Sequence, residues 1–510
     1  MNLSDLFAIP RQRDPQRPAL RFEPAPGAAR ELTYEGLHRR AERLAAGLLA
    51  RGLRPGDRVA LYLGNSPELV VAHLAVLRLG AVTVPLNPAY RRREVAHVLR
   101  DAEPRLLVSE ERGLPVLAEL SADERRSVEA VLQAETLAAE EREPTEAPPR
   151  AGPDDLAMLL YTSGTSGRSK GAMLSHRNLL ATVTALLAAW GWQASDELLL
   201  TLPLFHTHGL VVGLHCALAA GATVRLRPRF DAEAVAAALA ASEATLFFGV
   251  PTMYVRLVAA LRQGGAPALP RMRLFCSGSA PLPPEVFAAF AELTGHAILE
   301  RYGMTETGMS LSNPLAGRRL PGTVGTPLPG VSMRVVDGDG NRVPPGVDGA
   351  LQVRGSHVFE GYWRDPERTA AAFAVDAAGR RWFRTGDLAR VEAESGHVTL
   401  LGRESELILC GGFNVYPREV EEVLAAVPGV REVAVAGAPD AELGEVPVAW
   451  WAGEAAVAAA ALEAHCRREL ARYKVPRAFH RVDALPRNAM GKLQKHLLKA
   501  PATAAAGPPS

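Results

Sequence analysis

The first half of the chain alternates between two spacings of apolar residues. Leu37, Ala41, Leu44 and Leu48 recur every three or four positions, which predicts an amphipathic helix, and Gly52 follows as a helix stop signal. Short apolar runs bounded by turn residues predict buried strands at residues 59–63, 81–85, 246–250 and 274–276, with a helix from residue 67 to about 80 between the first two. Helices that alternate with buried strands favour an α/β fold with a largely parallel sheet covered on both faces.

The pattern changes near residue 402. Beyond it, two helices and two strand-like runs are predicted at residues 419–426, 457–472, 433–436 and 446–451, enough for a small α+β domain of about a hundred residues. We therefore expect a large N-terminal domain over residues 1–402 and a small C-terminal domain over residues 403–500. Residues 501–510 are mostly Pro, Ala and Gly and are expected to be disordered.

Composition narrows the class of protein. Apolar residues make up 48% and charged residues 22% of 510, typical of a soluble globular protein, and a net charge of +1 argues against a nucleic-acid binder. The N-terminus lacks a secretory signal pattern, and polar residues interrupt the most apolar stretches, so we expect no membrane span. Four cysteines without a CxxC pattern suit a reducing compartment, and we expect a cytoplasmic location.

Residues 161–171 carry the strongest local chemical signal. They follow an apolar run at residues 156–160 and combine glycines, hydroxyl side chains and Lys170. Glycines let a backbone approach an anion closely, hydroxyls and backbone N–H groups donate to phosphate oxygens, and a lysine supplies positive charge. A flexible Gly/Ser turn is the alternative interpretation. The segment lacks the Gly-Lys-Ser/Thr ending of a Walker A loop.

This segment resembles the phosphate loop of the adenylate-forming superfamily, which includes acyl-CoA synthetases, adenylation domains of peptide synthetases and luciferases. Further motifs follow in the superfamily's order over nearly the whole chain, which implies that the large domain consists of several subdomains and that the small C-terminal domain is mobile. The resemblance implies a ligase that uses ATP to activate a carboxylic acid as its acyl-adenylate and then transfers the acyl group to the thiol of coenzyme A. It also implies ATP contacts from Thr162, Ser163, Gly164, Thr165, Ser166, Gly167 and Lys170.

Residues 300–307 resemble the adenylation core of the superfamily. Mg²⁺ bound to a nucleotide is usually held by one carboxylate together with phosphates and water, and Glu306 is the candidate ligand and a candidate catalytic residue. The resemblance implies that Thr305 donates to the α-phosphate region and that Tyr302 stacks on adenine. A solvated surface carboxylate is the alternative for Glu306.

Residues 205–209 resemble the aromatic/histidine motif beside the acyl pocket, which makes His206 a candidate catalytic residue. His206 and His208 flank one residue and offer a metal site as an alternative, although no carboxylate or cysteine stands nearby in the sequence. A packing role for either histidine is also open.

Two residues near the domain boundary are candidates for binding the ribose of ATP. A carboxylate accepts hydrogen bonds from both ribose hydroxyls, and this is the role that the resemblance implies for Asp387. Arg403 would reach the ribose as well, and residues 403–406 correspond to the superfamily's hinge. The alternative for Arg403 is an interdomain ion pair.

Two motifs of the small domain complete the resemblance. Residues 411–421 resemble the motif that lines the pantetheine tunnel, which implies coenzyme A contacts from Gly411, Gly412 and Tyr416; a plain turn before the next helix is the alternative. Residues 486–492 resemble the C-terminal lysine motif. There, Lys492 would bridge the substrate carboxylate and the α-phosphate and stabilise the developing negative charge.

The identity of the acid depends on Arg301, which precedes Tyr302. A buried arginine shortens the acyl pocket and is costly without an anion, which a second substrate carboxylate would supply. With Arg256 and Ser279, the segment looks closely similar to malonyl-CoA synthetases, in which the matching residues hold the distal carboxylate of malonate. The alternative is that both arginines pair with protein carboxylates.

We therefore predict an ATP- and Mg²⁺-dependent ligase that forms malonyl-CoA, or methylmalonyl-CoA, from small-molecule substrates. One alternative is a ligase for another short or medium carboxylic acid. A second is an adenylation enzyme that loads a carrier protein in trans. A non-catalytic nucleotide-binding relative is a third, but such a protein is expected to have lost Lys492 or Glu306, and both are present.

Overall fold

The computed structural model describes residues 2–25, 28–145, 147–162, 169–241, 243–265, 268–411, 413–440, 442–487 and 493–498, with the backbone alone at residue 496. Several predicted features lie outside these residues: Ser163, Gly164, Thr165, Ser166, Gly167, Gly412, Lys492 and the tail at residues 501–510.

Helices begin where the chain offers a capping side chain or a proline. The side chain of Thr33 accepts the Gly36 N–H at the start of α2, and Ser66 does the same for Leu69 at the start of α3. In chain order the described α-helices are α1 Leu3–Arg13, α2 Tyr34–Ala50, α3 Pro67–Arg78, α4 Arg92–Ala102, α5 Leu114–Ala118, α6 His176–Ala189, α7 Cys216–Ala220, α8 Ala232–Ala241, α9 Pro251–Gly264, α10 Pro284–Thr294, α11 Pro366–Ala371, α12 Pro417–Ala425 and α13 Ala459–Glu469.

Most strands in the first half of the chain are short and buried. The described strands are β1 Pro18–Phe22, β2 Arg30–Thr33, β3 Arg58–Tyr62, β4 Val82–Pro85, β5 Leu106–Ser109, β6 Ala130–Gln133, β7 Leu156–Thr162, β8 Lys170–Ser175, β9 Glu197–Leu200, β10 Thr223–Leu226, β11 Leu246–Gly249, β12 Leu274–Ser277, β13 Leu299–Tyr302, β14 Leu311–Ser312, β15 Thr326–Pro327, β16 Ser332–Val336, β17 Gly349–Arg354, β18 Gly361–Tyr362, β19 Phe373–Val375, β20 Arg381–Val391, β21 Val398–Arg403, β22 Ile408–Cys410, β23 Phe413–Val415, β24 Val430–Asp440, β25 Gly444–Gly453 and β26 Ala478–Arg481.

Two sheets with parallel interiors confirm the predicted α/β fold; both edges of the nine-stranded sheet and one edge of the seven-stranded sheet are antiparallel. The nine-stranded sheet has the order β15-β14-β13-β12-β11-β9-β10-β1-β2, and the seven-stranded sheet has the order β18-β8-β7-β4-β3-β5-β6. In the latter, β3 pairs in parallel with β4 and β5, whereas β7, β8 and β18 form antiparallel pairs. Parallel interiors need helices on their faces, which explains the alternation of apolar patterns along the chain.

The chain divides into two compact units. The first comprises residues 1–333 and 353–383, and the second comprises residues 334–352 and 384–510. The second unit contains a five-stranded sheet of order β23-β22-β25-β24 with β26 paired to β25, and its core includes apolar side chains of α12 and α13. Helix α13 is shorter than predicted because the chain becomes extended at Leu470. The domain boundary at residue 402 stays a prediction.

A search of the described residues found no helix that is both long enough and apolar enough to cross a membrane.

Candidate active site

The predicted phosphate loop joins two paired strands of the seven-stranded sheet. Strand β7 ends at Thr162 and β8 begins at Lys170, and these two residues are register partners in the antiparallel pair. Strands β7 and β8 therefore form an antiparallel hairpin whose last described pair is Thr162 and Lys170, and residues 163–168 between them lie outside the described residues. The ammonium of Lys170 lies 5.0 Å from the ring centroid of Tyr362, on the neighbouring strand β18.

The adenylation segment follows directly from β13. Tyr302 is its last residue, and a Cβ at Gly303 would lie 2.1 Å from the carbonyl oxygen of Gly308, so the tight turn that follows requires glycine. A single 3₁₀ turn, Thr305–Thr307, then carries Glu306, whose side chain is buried at 6% exposure. Burial rules out the interpretation of Glu306 as a solvated surface carboxylate.

Tyr362 joins these two motifs. Its hydroxyl donates a hydrogen bond of 3.0 Å to Oε1 of Glu306, while its ring faces the Lys170 ammonium at the centroid distance given above. The structure thus brings Lys170 and Glu306 to the same tyrosine, although they are far apart in the chain. The sequence patterns did not identify Tyr362.

The surroundings of Glu306 fit a Mg²⁺ ligand. Within the described residues, its carboxylate accepts a hydrogen bond at Oε1 and has no salt bridge to a lysine, arginine or histidine. A buried carboxylate without a cationic partner is costly, and hard cations such as Mg²⁺ take oxygen ligands of this kind. No group of three or more His, Cys, Asp or Glu side chains that could form a separate metal site was found in the part of the chain that the structure describes.

Of the two histidines in the aromatic/histidine motif, His208 is buried and His206 is half-buried. The Nδ1 atom of His206 accepts the backbone N–H of His208 at 3.2 Å, which turns that ring toward its own loop. His208 is buried, and its Nδ1 is hydrogen-bonded to Oγ of Ser279 at 3.4 Å. Burial, reinforced by the positive charge of Arg301, holds the pKa of His208 well below its ordinary value, so this ring is neutral.

Arg301 carries a positive charge that is almost completely buried in the first unit. Its side chain on β13 is 4% exposed, and a Cβ at Gly278 would lie 2.4 Å from its guanidinium carbon, so the guanidinium packs against the backbone between Ser277 and Ser279. Nε and Nη2 of Arg301 have no hydrogen-bond partner among the described residues. Burial lowers the pKa of the guanidinium below its ordinary value.

The other two predicted acid-binding residues differ from Arg301 in their surroundings. Ser279 is exposed and has a φ of 71°, a left-handed conformation that non-glycine residues adopt mainly at constrained, often functional, positions. Arg256 lies on the exposed side of α9, with its guanidinium 5.2 Å from the ring centroid of Phe230. Neither Arg256 nor Arg301 pairs with a carboxylate in the described part of the chain, so the alternative stated for them has no support there, and their role in binding the acid stays a prediction.

In the second unit, the two predicted ribose-binding residues contact each other. Asp387 on β20 and Arg403 on β21 are register partners, and Nε of Arg403 lies 3.0 Å from Oδ1 of Asp387. Arg403 also donates to the carbonyl oxygen of Thr385 at 3.0 Å. Asp387 is buried, so the arginine holds its carboxylate in one orientation. This ion pair lies within one compact unit, so it is not the interdomain ion pair stated as the alternative for Arg403, and the ribose-binding role of both residues stays a prediction.

The remaining motif residues surround the turn between β22 and β23. Gly411 has a φ of 57°, and its N–H donates to the carbonyl oxygen of Leu443 at 2.8 Å. Tyr416 precedes α12, and burial together with the nearby Asp348 carboxylate raises the pKa of its hydroxyl. These contacts fix the turn and leave the proposed coenzyme A contacts of Gly411 and Tyr416 as predictions.

Lys495 is a further charged residue that the sequence patterns did not identify. Its ammonium lies 3.1 Å from Glu406 and 2.8 Å from Glu421. Burial opposes its charge, but the two carboxylates outweigh that effect and raise the pKa of Lys495. The lysine therefore ties the segment after β21 to α12.

The α/β fold, and the tyrosine that joins the predicted phosphate and metal residues Lys170 and Glu306, are the features expected of an adenylate-forming ligase. Family comparison agrees. The model of the AMP-binding enzyme family matches residues 7–363, and the model of the AMP-binding enzyme C-terminal domain matches residues 419–492. The chain belongs to the AMP-binding enzyme family.

Individual relatives indicate which kind of AMP-binding enzyme this chain resembles. The mitochondrial malonate–CoA ligase ACSF3 of Mus musculus is 38% identical over 512 residues, covering 92% of this chain and 86% of that protein. A feruloyl-CoA synthase of an Amycolatopsis species is 37% identical over 478 residues, covering 91% and 92%. The crystal structure of ATP-bound MatB from Rhodopseudomonas palustris is 41% identical, with a TM-score of 0.89 and coverage of 98% of each chain. The protein is an AMP-forming acid–CoA ligase, a class that uses ATP and CoA.

Proposed function

We propose that this ligase acts on malonate, with methylmalonate as a second substrate, and forms the corresponding acyl-CoA. The observation that carries the proposal is the guanidinium of Arg301, which is buried at 4% exposure without a carboxylate partner among the described residues. A substrate with a second carboxylate supplies that partner in a charge-assisted pair. A relative named malonate–CoA ligase, 38% identical, supports the same substrate.

The neighbourhood of Arg301 suits an anion. His208 is neutral because burial lowers its pKa, and it therefore adds a polar side chain without a second positive charge. Ser279, hydrogen-bonded to His208, offers a hydroxyl in the same segment that packs on Arg301. A long apolar acyl chain gains nothing from these groups, because it leaves the guanidinium unpaired. We propose that Arg256, which is more exposed than Arg301, also contacts the second carboxylate of the acid.

In the first half-reaction, we propose that one malonate carboxylate oxygen attacks the α-phosphorus of ATP. The new O–P bond forms as the bond to the bridging oxygen of the β-phosphate breaks, which gives malonyl-AMP and pyrophosphate. Lys170 and the phosphate hairpin bind the phosphates, Thr305 donates to the α-phosphate region, and Tyr302 stacks on adenine. Glu306 would hold Mg²⁺, which neutralises phosphate charge when it is bound.

In the second half-reaction, the sulfur of coenzyme A attacks the carbonyl carbon of malonyl-AMP. The C–S bond forms, the C–O bond to AMP breaks, and the thiol proton passes to solvent. We propose that Asp387, oriented by Arg403, binds the ribose, and that the segment around Gly411 and Tyr416 receives the pantetheine arm. Lys492 acts in the first half-reaction alone, and residues 403–406 form the hinge that exchanges it for the Gly411 segment.

Two alternatives differ from this proposal, one in the acid that is activated and one in the thiol that accepts the acyl group. The feruloyl-CoA synthase relative, 37% identical, favours a larger monocarboxylic acid. A carrier-protein thiol in place of coenzyme A is the second alternative, and presenting both thiols to the purified enzyme separates them. We also propose a cytoplasmic location, which the four free cysteines support; fractionation of the source cells tests it against the mitochondrial location of the ACSF3 relative.

An acid panel tests the substrate. Purified enzyme with ATP, Mg²⁺ and coenzyme A is given malonate, methylmalonate, acetate, octanoate or ferulate, and both pyrophosphate and the acyl-CoA product are measured. We expect the highest kcat/KM with malonate. A higher kcat/KM with octanoate or ferulate contradicts the assignment to Arg301.

Glu306→Gln is the matched test of the metal ligand and is expected to abolish the response of pyrophosphate release to Mg²⁺ concentration.

A further inference from the structure

We propose that Tyr362 is a positioning residue that orients the Glu306 carboxylate toward Mg²⁺ through its hydroxyl and restrains the Lys170 ammonium through its ring. The inference rests on the roles proposed above for Glu306 and Lys170, and it assigns a role to a residue outside all the motifs that predicted the site.

The hydroxyl acts on the carboxylate. It donates to Oε1 of Glu306 at 3.0 Å, which restrains the carboxylate and would leave Oε2 for a cation. Mg²⁺ at nucleotide sites is usually bound through one or two carboxylates together with phosphates and waters, so the orientation of a single carboxylate matters. Partners of this kind, which contact a ligand residue instead of the metal, fix its orientation and tune its basicity.

The ring acts on the lysine. The Lys170 ammonium lies 5.0 Å from the ring centroid of Tyr362, within the range of a cation–π interaction. A lysine side chain has four rotatable bonds, and holding its ammonium near one place reduces the entropy lost when a phosphate binds. The same side chain therefore controls the positive and the negative group of the site.

Tyr362 is itself held firmly on both sides. It pairs with Ala172 in β8, and its N–H donates to Oγ1 of Thr369 at 2.9 Å. The next residue, Trp363, donates through its backbone N–H to the carbonyl oxygen of Gly171 at 2.8 Å and through Nε1 to the carbonyl oxygen of Asp101 at 3.0 Å. A side chain on so rigid a support can place two functional groups reproducibly.

The guanidinium groups of Arg58 and Arg364 add to this support. They lie 5.6 and 5.5 Å from the ring of Trp363. Arg364 also pairs with Glu103 at 2.6 Å. These contacts connect the Tyr362 segment to several elements of the seven-stranded sheet, and none of them involves Glu306 or Lys170. The support is thus separate from the groups that it positions.

Two substitutions separate the two effects. Tyr362→Phe keeps the ring beside Lys170 and removes the hydroxyl from Glu306, whereas Tyr362→Leu removes both. Tyr62→Phe is the matched control, because it removes a tyrosine hydroxyl from the same sheet, where its acceptor is the Tyr90 carbonyl oxygen at 2.6 Å. Circular dichroism confirms that each variant is folded.

Metal binding is measured without turnover. Mn²⁺, a spectroscopic probe for the Mg²⁺ site, is titrated by electron paramagnetic resonance into each protein saturated with the α,β-methylene analogue of ATP. Tyr362→Phe is expected to weaken Mn²⁺ binding by about 10- to 100-fold, the usual effect of removing a partner of a metal ligand. Tyr362→Leu is expected to weaken binding of the nucleotide by a further factor of about 2 to 5, from the lost cation–π contact.

The second half-reaction provides an internal reference. Malonyl-CoA formation from synthetic malonyl-AMP and coenzyme A bypasses the metal step, so we expect Tyr362→Phe to lose less activity there than in adenylate formation, and Tyr62→Phe to match the wild type in both. Unchanged Mn²⁺ binding in Tyr362→Phe, or equal losses in Tyr362→Phe and Tyr62→Phe, overturns the proposal. Glu306→Gln distinguishes failure of the Tyr362 proposal from failure of the proposed metal role of Glu306. Normal Mn²⁺ binding in Glu306→Gln would show that Glu306 is not a metal ligand, whatever the effect of Tyr362→Phe.

Discussion

Replacement of Arg301 by methionine is the sharpest perturbation of the proposed acid site. Methionine has a similar length and no polar atoms, so it removes the charge and leaves the volume nearly unchanged. The distal carboxylate of malonate then loses its partner in a buried, hydrogen-bonded charge pair. Such a loss costs about 2–5 kcal/mol, which lowers kcat/KM for malonate by about 30- to 4,000-fold.

The same substitution, which lowers activity on malonate, is expected to stabilise the folded protein when no substrate is bound. Nε and Nη2 of Arg301 are buried without partners among the described residues. Each unsatisfied buried polar group costs about 1–3 kcal/mol, so Arg301→Met is expected to raise the free energy of unfolding by about 1–3 kcal/mol. A variant that is more stable and less active on one substrate separates a binding role from a packing role.

Two assays check this prediction. The value of kcat/KM is measured with malonate and with acetate, which lacks the second carboxylate and should change by less than a factor of about three. Urea unfolding without ligands gives the stability. Arg301→Lys keeps a charge without the planar fork and should retain part of the activity on malonate. Equal losses on malonate and acetate, or a lower free energy of unfolding in Arg301→Met, refute the reasoning.

Two further predictions concern stability. Lys495→Met leaves the carboxylates of Glu406 and Glu421 without their shared cation, and urea unfolding should show a loss of about 1–3 kcal/mol that Lys495→Arg largely restores; equal losses in both variants contradict a charge effect. Burial lowers the pKa of His38 and of His357 to about 4. Because an unfolded histidine titrates near 6.5, unfolding takes up protons between about pH 4 and 6.5, and stability falls as pH is lowered through that window. Thermal unfolding at several pH values measures this, and replacing both histidines by glutamine should reduce the dependence but not remove it, because burial also lowers the pKa of His73, His176, His208 and His215.

Several features of this protein were determined by local sequence patterns. The helical spacing of Leu37 to Leu48 appears as α2, and the apolar run at residues 59–63 appears as β3, because side-chain periodicity reports directly on which face of an element is buried. The alternation of such patterns was enough to predict the α/β fold with parallel sheets. The residue types at Lys170 and Glu306 indicated phosphate and metal chemistry, because that chemistry restricts which side chains can serve.

Other features were decided only by the tertiary structure. The hydrogen bond between Tyr362 and Glu306 spans 56 positions of the chain, and that between Ser279 and His208 spans 71. The pairing of Asp387 with Arg403 depends on strand register, which motif spacing does not specify. Burial of Arg301 without a carboxylate partner, and exposure of Arg256, likewise depend on how distant elements pack. Local patterns determined which chemistry the chain offers, whereas packing decided which of those groups meet, because contacts across a fold depend on many residues at once.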